Sequence, residues 1–403
     1  MRIGIDIRCL AEERRTGVEE YAFNLLQHIF EMDRKNEYVL FFNSFKNPKL
    51  DFQWIKKYPN VKIRIFRYPN KLLNFLFWYF DWPKIDRMLG GTDIFFMPNI
   101  IFGSVSDKSK LMVTIHDLSF EQYRETFSWK RKWWHIFINP KNLCRQADKI
   151  ISVSSSTKND IVELYGIDPE KIIVIYNGIA DIFIPMNEDS YKEKFKEIRN
   201  RYDLPEKFIL YLGTIEPRKN IVGIVRAYAG FQKYALDQNN PDLADYFLVI
   251  AGYPGWLSES IFSEIENSEF KQKIVVTSPI EEGDKVFVYN MSSLVVYCSF
   301  FEGFGFPPLE AMRCGIPVIA SNNSSLSETV GNSGILIDPD KPQEIFYAMK
   351  EILTSKELYN EFIVRGLECA RNFDWNKTAE KILEIINKMK DNRKDDLSNF
   401  LLK

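Results

Sequence analysis

Short apolar runs alternate with longer helical patterns along this chain, and they do so in two successive series. This is the feature that most limits the fold, because such alternation builds α/β layers in which helices cover a mostly parallel sheet. In the first series, strands are expected at 2–7, 38–43, 61–67, 93–97, 111–115, 149–153 and 172–176. Helical patterns fill 17–32, 71–89, 128–147 and 155–165. After Asn177-Gly178 the pattern pauses, and the charged stretch Met186 to Glu206 reads as a surface connection with a short helix. The second series places strands at 208–212, 246–251, 273–277, 294–299, 316–320 and 334–337. Helical patterns lie between them, near 220–236, 258–268, 284–292, 307–314, 324–330 and 342–354. A length of 403 residues with 45% hydrophobic residues suffices for two cores. The expectation is therefore two domains, 1–183 and 184–375. A helix over 376–390 has Ala379, Ile382, Ile385, Ile386 and Met389 on one face and is expected to fold back on the first domain. Residues 391–403 read as a polar, frayed tail.

Charge and cysteine usage exclude several classes. A formal charge of −2 argues against wholesale nucleic-acid binding. Residues 1–183 carry 27 Lys and Arg against 22 Asp and Glu, while the remainder carries 26 against 33. The first half is thus the better candidate for facing anionic lipid or a phosphate-bearing acceptor. Five scattered cysteines without a Cys-x-x-Cys suit reduced thiols and a cytoplasmic setting. Three histidines (His28, His116, His135) make a histidine-rich metal centre improbable. The first residues read as a strand, not a leader, and the apolar stretch Leu72 to Phe80, interrupted by Asn74, is too short to span a membrane.

Two glutamates eight positions apart frame Glu302-Gly303-Phe304-Gly305-Phe306-Pro307-Pro308-Leu309-Glu310, directly after the apolar Leu294 to Tyr297. Proline suits the first turn of a helix, so Glu302 should lie in the loop beyond a strand's carboxyl end and Glu310 within the next helix. Ligands of open parallel sheets bind at that edge. Glycines let backbone N–H groups approach an anion, and carboxylates accept hydrogen bonds from vicinal hydroxyls. Together they suit a ligand with hydroxyls and phosphates, such as a nucleotide sugar. Gly303-Phe304-Gly305 also begins like a dinucleotide fingerprint, but Pro308 stands at the third glycine position.

A second candidate loop is Tyr211-Leu212-Gly213-Thr214-Ile215-Glu216-Pro217-Arg218-Lys219-Asn220, again between an expected strand and helix. Arg218 and Lys219 offer a planar fork and a compact charge to a diphosphate; the bland alternative is a solvated basic turn capped by Asn220. His116 and Asp117 follow the strand at 111–115 and are candidates to touch a transferred sugar or an acceptor. In Arg14-Arg15-Thr16-Gly17-Val18, Gly17 permits close backbone approach to a phosphate. One of Ser154, Ser155 and Ser156 is expected to cap a helix. Trp129-Lys130-Arg131-Lys132-Trp133-Trp134-His135 fits either a half-buried helix with its aromatics in the core or one resting on an anionic membrane surface. The latter would give the N-terminal domain a peripheral contact with the inner membrane face. Asp338-Pro339-Asp340 reads as a turn in preference to a metal site.

Taken together, these motifs resemble the retaining group 1 glycosyltransferases, which have the GT-B fold. The resemblance runs from Thr16-Gly17 through His116-Asp117, Asn177-Gly178, the basic loop and the glutamate pair to Phe373-Asp374-Trp375, nearly the whole chain. It implies two Rossmann-like doubly wound domains facing across a cleft, with the nucleotide-sugar donor mainly on the C-terminal domain and the acceptor mainly on the N-terminal one. It implies that Glu302 lies near the donor hexose and Glu310 holds the nucleotide ribose. Arg218 and Lys219 would bind the diphosphate with help from amides of Gly303, Phe304 and Gly305. Many members have an arginine just after the glycine of the basic loop, where this chain has Thr214. The resemblance further implies retention of anomeric configuration without a required metal or other cofactor, with His116 and Glu302 as stabilising and positioning groups. The form Gly-Thr-Ile-Glu-Pro-Arg-Lys-Asn looks like mannosyltransferase-type members. A hexosyltransferase using GDP-mannose and extending a polysaccharide or lipid-linked oligosaccharide is the leading expectation; a nucleotide-sugar-binding scaffold without turnover is the alternative, and a nicotinamide-dependent oxidoreductase a more remote one.

Overall fold

The computed structural model describes residues 1–11, 17–45, 52–127 and 129–401, the side chains of Lys130 and of 391–401 excepted. Two compact units result. The first comprises Met1–Leu118, Trp129–Gly178 and Asp374–Lys403, and the second Ser119–Ser128 and Ile179–Phe373.

The first unit contains seven strands: β1 (Arg2–Asp6), β2 (Glu37–Asn43), β3 (Val61–Phe66), β4 (Ile94–Met97), β5 (Lys110–Ile115), β6 (Lys149–Ser152) and β7 (Ile172–Val174). They are ordered β3-β2-β1-β4-β5-β6-β7, and every pairing is parallel. The middles of the inner strands are mostly apolar because helices cover both faces, as the burial of Tyr38, Phe41, Phe42, Phe95 and Phe96 shows. Helix Gly17–Met32 buries Tyr21, Ala22, Leu25, Leu26, Ile29 and Phe30, a stripe of helical period. Helix Trp375–Leu401 packs on it: the Trp375 ring lies 6.0 Å from that of Tyr21, and Ala379, Ile382, Ile386 and Met389 are buried. The expected return of the last helix to the first domain is found. Its helical backbone continues to Leu401, however, through the stretch expected to fray. At its start the chain passes close to Gly178, where a Cβ atom would stand 2.2 Å from the Trp375 amide nitrogen.

The second unit repeats the plan with β8 (Phe208–Leu212), β9 (Phe247–Ala251), β10 (Ile274–Thr277), β11 (Leu294–Tyr297), β12 (Val318–Ser321) and β13 (Ile335–Ile337). Their order is β10-β9-β8-β11-β12-β13, all parallel. Both sheets therefore reverse strand order once, beside β1 and β4 in one and beside β8 and β11 in the other. Ligands of doubly wound sheets bind outside the carboxyl ends at this point.

Two expected helices are divided. The pattern over 71–89 becomes Asn70–Phe80 and Ile85–Met88, because Asp81 takes a left-handed conformation and Pro83 cannot continue a helix. The pattern over 128–147 becomes Trp129–Ile138 and Pro140–Gln146. Asn139 caps the second by accepting from the Asn142 amide, with Pro140 in the first turn. Of the three candidate serines, Ser154 is the cap, accepting from the Thr157 amide at 3.1 Å. Among the described residues, no helix is long and apolar enough to cross a membrane.

Candidate functional site

Strands β8 and β11 are neighbours, so the loops leaving their carboxyl ends are forced together. The chain after β8 runs through Gly213 to a short turn, Pro217–Lys219. Asn220 follows in a left-handed conformation and caps helix Ile221–Asp237, accepting from the Gly223 amide at 3.3 Å. The bland reading of this loop was correct about the cap. It was wrong about solvation, because Lys219 is buried and Arg218 is mostly covered. The loop after β11 carries Phe300, Phe301 and Glu302, and the Phe300 amide donates to the Arg218 carbonyl at 2.9 Å.

Four charges meet there. Lys219 Nζ donates to Glu302 Oε1 and, at 2.9 Å, to the Tyr297 hydroxyl. The Arg218 guanidinium donates to Glu216 through Nε at 3.2 Å and Nη2 at 3.0 Å, and to the Phe301 carbonyl through Nη1 at 2.8 Å. That same Nη1 lies 3.7 Å from Glu302 Oε2. Two cations thus face two carboxylates in a nearly dry setting, where Glu216 is 2% and Glu302 7% exposed. Burial alone would raise the Glu302 carboxyl, but Lys219 and Arg218 hold it below the ordinary glutamate value. Burial pushes the Lys219 ammonium down; Glu302 opposes that shift and Arg218 adds to it.

The sequence reading missed Glu216 and Tyr297. Glu216 is the residue that fixes the plane of the Arg218 guanidinium. Tyr297 ends β11, and its ring stacks on that of Tyr211, which ends one residue short of the β8 terminus, at 5.9 Å. The signal was present: Tyr297 is the last residue of its strand and Tyr211 the last but one, at the carboxyl ends where ligands of parallel sheets bind.

The glycine-rich segment is placed as its prolines predicted. Helix Phe306–Arg313 starts just after Gly305, whose φ of 91° favours glycine and whose Cβ would stand 2.5 Å from Leu326 Cδ2. Gly303, Phe304 and Gly305 are all buried. The Phe304 ring packs against Phe306 and Phe373, and its carbonyl accepts from Thr329 Oγ1 at 3.3 Å. Glu302 is anchored through its main chain: its amide donates to Ser324 Oγ at 3.0 Å, and its carbonyl accepts from Ser325 Oγ at 3.0 Å. Glu310 lies one helix turn inside and has its own partners. Its Oε2 accepts from the Tyr289 hydroxyl at 2.7 Å. Burial lifts its carboxyl above the usual range, with Lys285 opposing and Glu282 adding.

In the first unit, His116 stands at the carboxyl end of β5. Its Nε2 is 2.9 Å from the Pro98 carbonyl beyond β4, and its ring meets Tyr21 edge-on at 4.7 Å. Burial lowers its basicity, against the opposing Pro98 carbonyl and Asp117. A neutral imidazole that donates from Nε2 to this carbonyl leaves Nδ1 as acceptor. Asp117 is half-buried, and Gly17 is exposed at the first position of its helix. Arg14, Arg15 and Thr16 lie outside the described residues. Asp338-Pro339-Asp340 forms the expected turn, with the Asp340 amide donating to Asp338 Oδ1 at 3.0 Å and Lys341 bridging to Asp338. Helix Trp129–Ile138 overturns the expectation of core aromatics: Trp129, Trp133, Trp134 and Phe137 are all exposed.

Comparison with known proteins bears on both halves. Residues 192–368 match the family Glycosyl transferases group 1, and residues 15–181 match Glycosyltransferase Family 4. The chain is similar to the serotype-specific mannosyltransferase WbdA of Escherichia coli, 29% identical over 275 residues. That stretch is 68% of this chain and 33% of the relative, so the chain spans about a third of that protein's length. It is also similar to the O-antigen chain mannosyltransferase B of Escherichia coli, 31% identical over 59% of this chain and 60% of the relative. In fold it is similar to the Anabaena protein HepE, solved in complex with UDP and glucose. That likeness has a TM-score of 0.68 at 16% identity and covers 96% of this chain and 99% of the other. With two parallel Rossmann-like sheets and family matches in both halves, the chain belongs to the group 1 glycosyltransferases of GT-B fold.

Proposed function

We propose that this chain is a retaining hexosyltransferase that moves mannose from GDP-mannose to a polysaccharide or lipid-linked oligosaccharide acceptor in the cytoplasm. The observation that carries the reading is the Arg218–Lys219–Glu302 cluster at the strand-order reversal of the second sheet. In this reading residues 184–375 hold the donor and 1–183 the acceptor. Arg218 and Lys219 turn towards the diphosphate, aided by amides of Gly303, Phe304 and Gly305, with Gly17 approaching it from the first half. Glu302, released from part of its pairing, accepts hydrogen bonds from the hexose, and Glu310 does so from the ribose. His116 and Asp117 serve the acceptor side, His116 as a neutral positioning group.

The bond from the anomeric carbon to the phosphate oxygen breaks, and a bond from that carbon to the acceptor oxygen forms on the same face. The acceptor proton passes to the departing phosphate oxygen. Negative charge grows on the diphosphate as it leaves, and fixed cations in a water-poor setting stabilise that growth. Mannose and GDP are favoured because the relatives named above are mannosyltransferases.

Thermal unfolding with UDP, GDP, ADP and their sugars tests the donor. A ligand at about 100 times its Kd stabilises by about 2.7 kcal/mol. GDP and GDP-mannose are expected to raise the midpoint, and incubation with lipid-linked acceptors is expected to release GDP and give an α-linked product. A response to UDP-sugars alone replaces the donor; donor binding without GDP release in the presence of such acceptors replaces enzyme with binding scaffold.

A further inference from the structure

The same side-chain construction stands at the strand-order reversal of each sheet. In the second unit Glu216 holds Arg218, two residues on, and the guanidinium also donates to the Phe301 carbonyl beyond β11. In the first unit Asp6 ends β1 and holds Arg8, again two residues on. Arg8 Nε donates to Asp6 Oδ1 at 3.0 Å and Nη2 to Asp6 Oδ2 at 2.6 Å. Nη2 also donates to the Phe102 carbonyl, in the chain beyond β4, at 2.5 Å. The guanidinium carbon lies 5.2 Å from the Phe41 ring centroid and 5.6 Å from that of Phe77, so the plane of the group is fixed by carboxylate and rings together.

A buried ion pair of this kind can be purely structural, and two observations go further. Arg8 Nη1 has no hydrogen-bond partner among the described residues, yet it is not sealed from solvent. A preset donor is therefore left over at the edge where ligands of such sheets bind. His116 supplies the second observation. Its Nε2 donates to the Pro98 carbonyl, so His116 and Arg8 hold the two ends of the stretch 98–102 that leaves β4 between β1 and β5. The charges then choose the ligand. Asp6 offsets Arg8, and Cys9 follows where the second unit has Lys219 after Arg218. Burial pushes the Cys9 thiol up, and Asp6 and Glu19 push it further, so the local field disfavours an anion. A neutral hydroxyl accepts from a guanidinium without needing a second cation. We propose, on the reading that the first unit takes the acceptor, that Arg8 binds the acceptor's sugar by donating from Nη1 to one of its hydroxyls, with Asp6 as the residue that positions it.

The test is saturation-transfer NMR of the full chain with saturating GDP. The probes are methyl α-mannoside, methyl α-glucoside and methyl α-galactoside, with methyl phosphate as the anion. The parent is expected to bind at least one glycoside in preference to methyl phosphate. Arg8→Lys keeps a charge opposite Asp6 but gives up the planar fork. Its affinity for that glycoside is expected to fall about tenfold or more, the share of a hydrogen bond from a charged donor. D6N/R8M removes both charges at once, leaves no buried carboxylate unpaired, and is expected to show the same loss. Calorimetry with GDP reads the second unit and is expected to give the parent affinity in both variants. A parent that ignores GDP but binds a glycoside through Arg8 ends the donor reading and keeps this one. A parent that binds none of the glycosides, variants that bind them as the parent does, or a preference for methyl phosphate overturns the proposal. So does a glycoside signal lost in E302Q and kept in R8K, which would put the sugar in the donor's hexose position.

Discussion

Replacing Lys219 by Met keeps the volume of the side chain and deletes its charge, which isolates what the buried quartet contributes. In the parent, Lys219 contacts both Glu302 and the Tyr297 hydroxyl. Without it, the 7% exposed Glu302 loses its nearer cation and keeps the Arg218 guanidinium at 3.7 Å. Breaking a buried ion pair from one side costs about 3–5 kcal/mol. Because Arg218 remains, the lower end, about 3 kcal/mol, is expected for K219M. For a unit of this size that lowers the midpoint by roughly 6–12 °C. In K219M/E302Q no uncompensated carboxylate is left, so the double variant should be less destabilised than the sum of the singles by about 2 kcal/mol. Denaturant titrations of the four chains, read through tryptophan and tyrosine fluorescence, supply the cycle. Calorimetry then separates the ligand roles: K219M should lose affinity for GDP and GDP-mannose alike, whereas E302Q should lose affinity chiefly for the sugar-bearing ligand. Single-variant effects that add to within about 0.5 kcal/mol would show that Lys219 and Glu302 are not an energetic unit. Equal GDP affinity in parent and K219M would remove the diphosphate role.

Glu216→Gln should lower turnover by about tenfold or more at saturating donor, because the guanidinium loses the carboxylate that fixes its plane. Steady-state rates on GDP-mannose check this, and an effect confined to KM would refute a positioning role. Glu310→Gln should weaken nucleotide affinity while making the fold more stable at neutral pH. The carboxyl is raised in the folded chain, so its burial costs stability as pH climbs from the ordinary 4.5 through the raised value. Unfolding curves at acid and neutral pH should therefore converge below 4.5 and separate above it. Gly178→Ala drives a methyl group against the Trp375 amide nitrogen, 2.2 Å away, and should loosen helix Trp375–Leu401 from helix Gly17–Met32. Faster amide hydrogen exchange confined to those two helices is the expected readout.

Much of this was legible without coordinates, and the reason is local. Parallel strands buried on both faces need continuous apolar runs, so β1, β5, β8, β9 and β11 announce themselves by composition. Prolines in first turns and an asparagine or serine at a cap are likewise set by neighbours in sequence, which is why the helices after Asn220 and Gly305 begin where expected. The sites proposed from loops also stood at strand ends, because alternation alone implies which end of a parallel strand meets the next helix.

Partnership across the chain was not legible. Arg218 and Lys219 read as open cations because nothing nearby in sequence shows that Glu302, 83 residues on, reaches Lys219. That contact exists only because the strand order places β11 beside β8. The same holds for the aromatics of helix Trp129–Ile138. A run of Trp and Phe at helical spacing fits a core as well as a surface, and the neighbours that would have buried Trp133 and Phe137 are decided by packing at long range. Short-range chemistry chooses which segments become strands, turns and caps; the sheet order chooses which charges meet and which apolar faces stay bare.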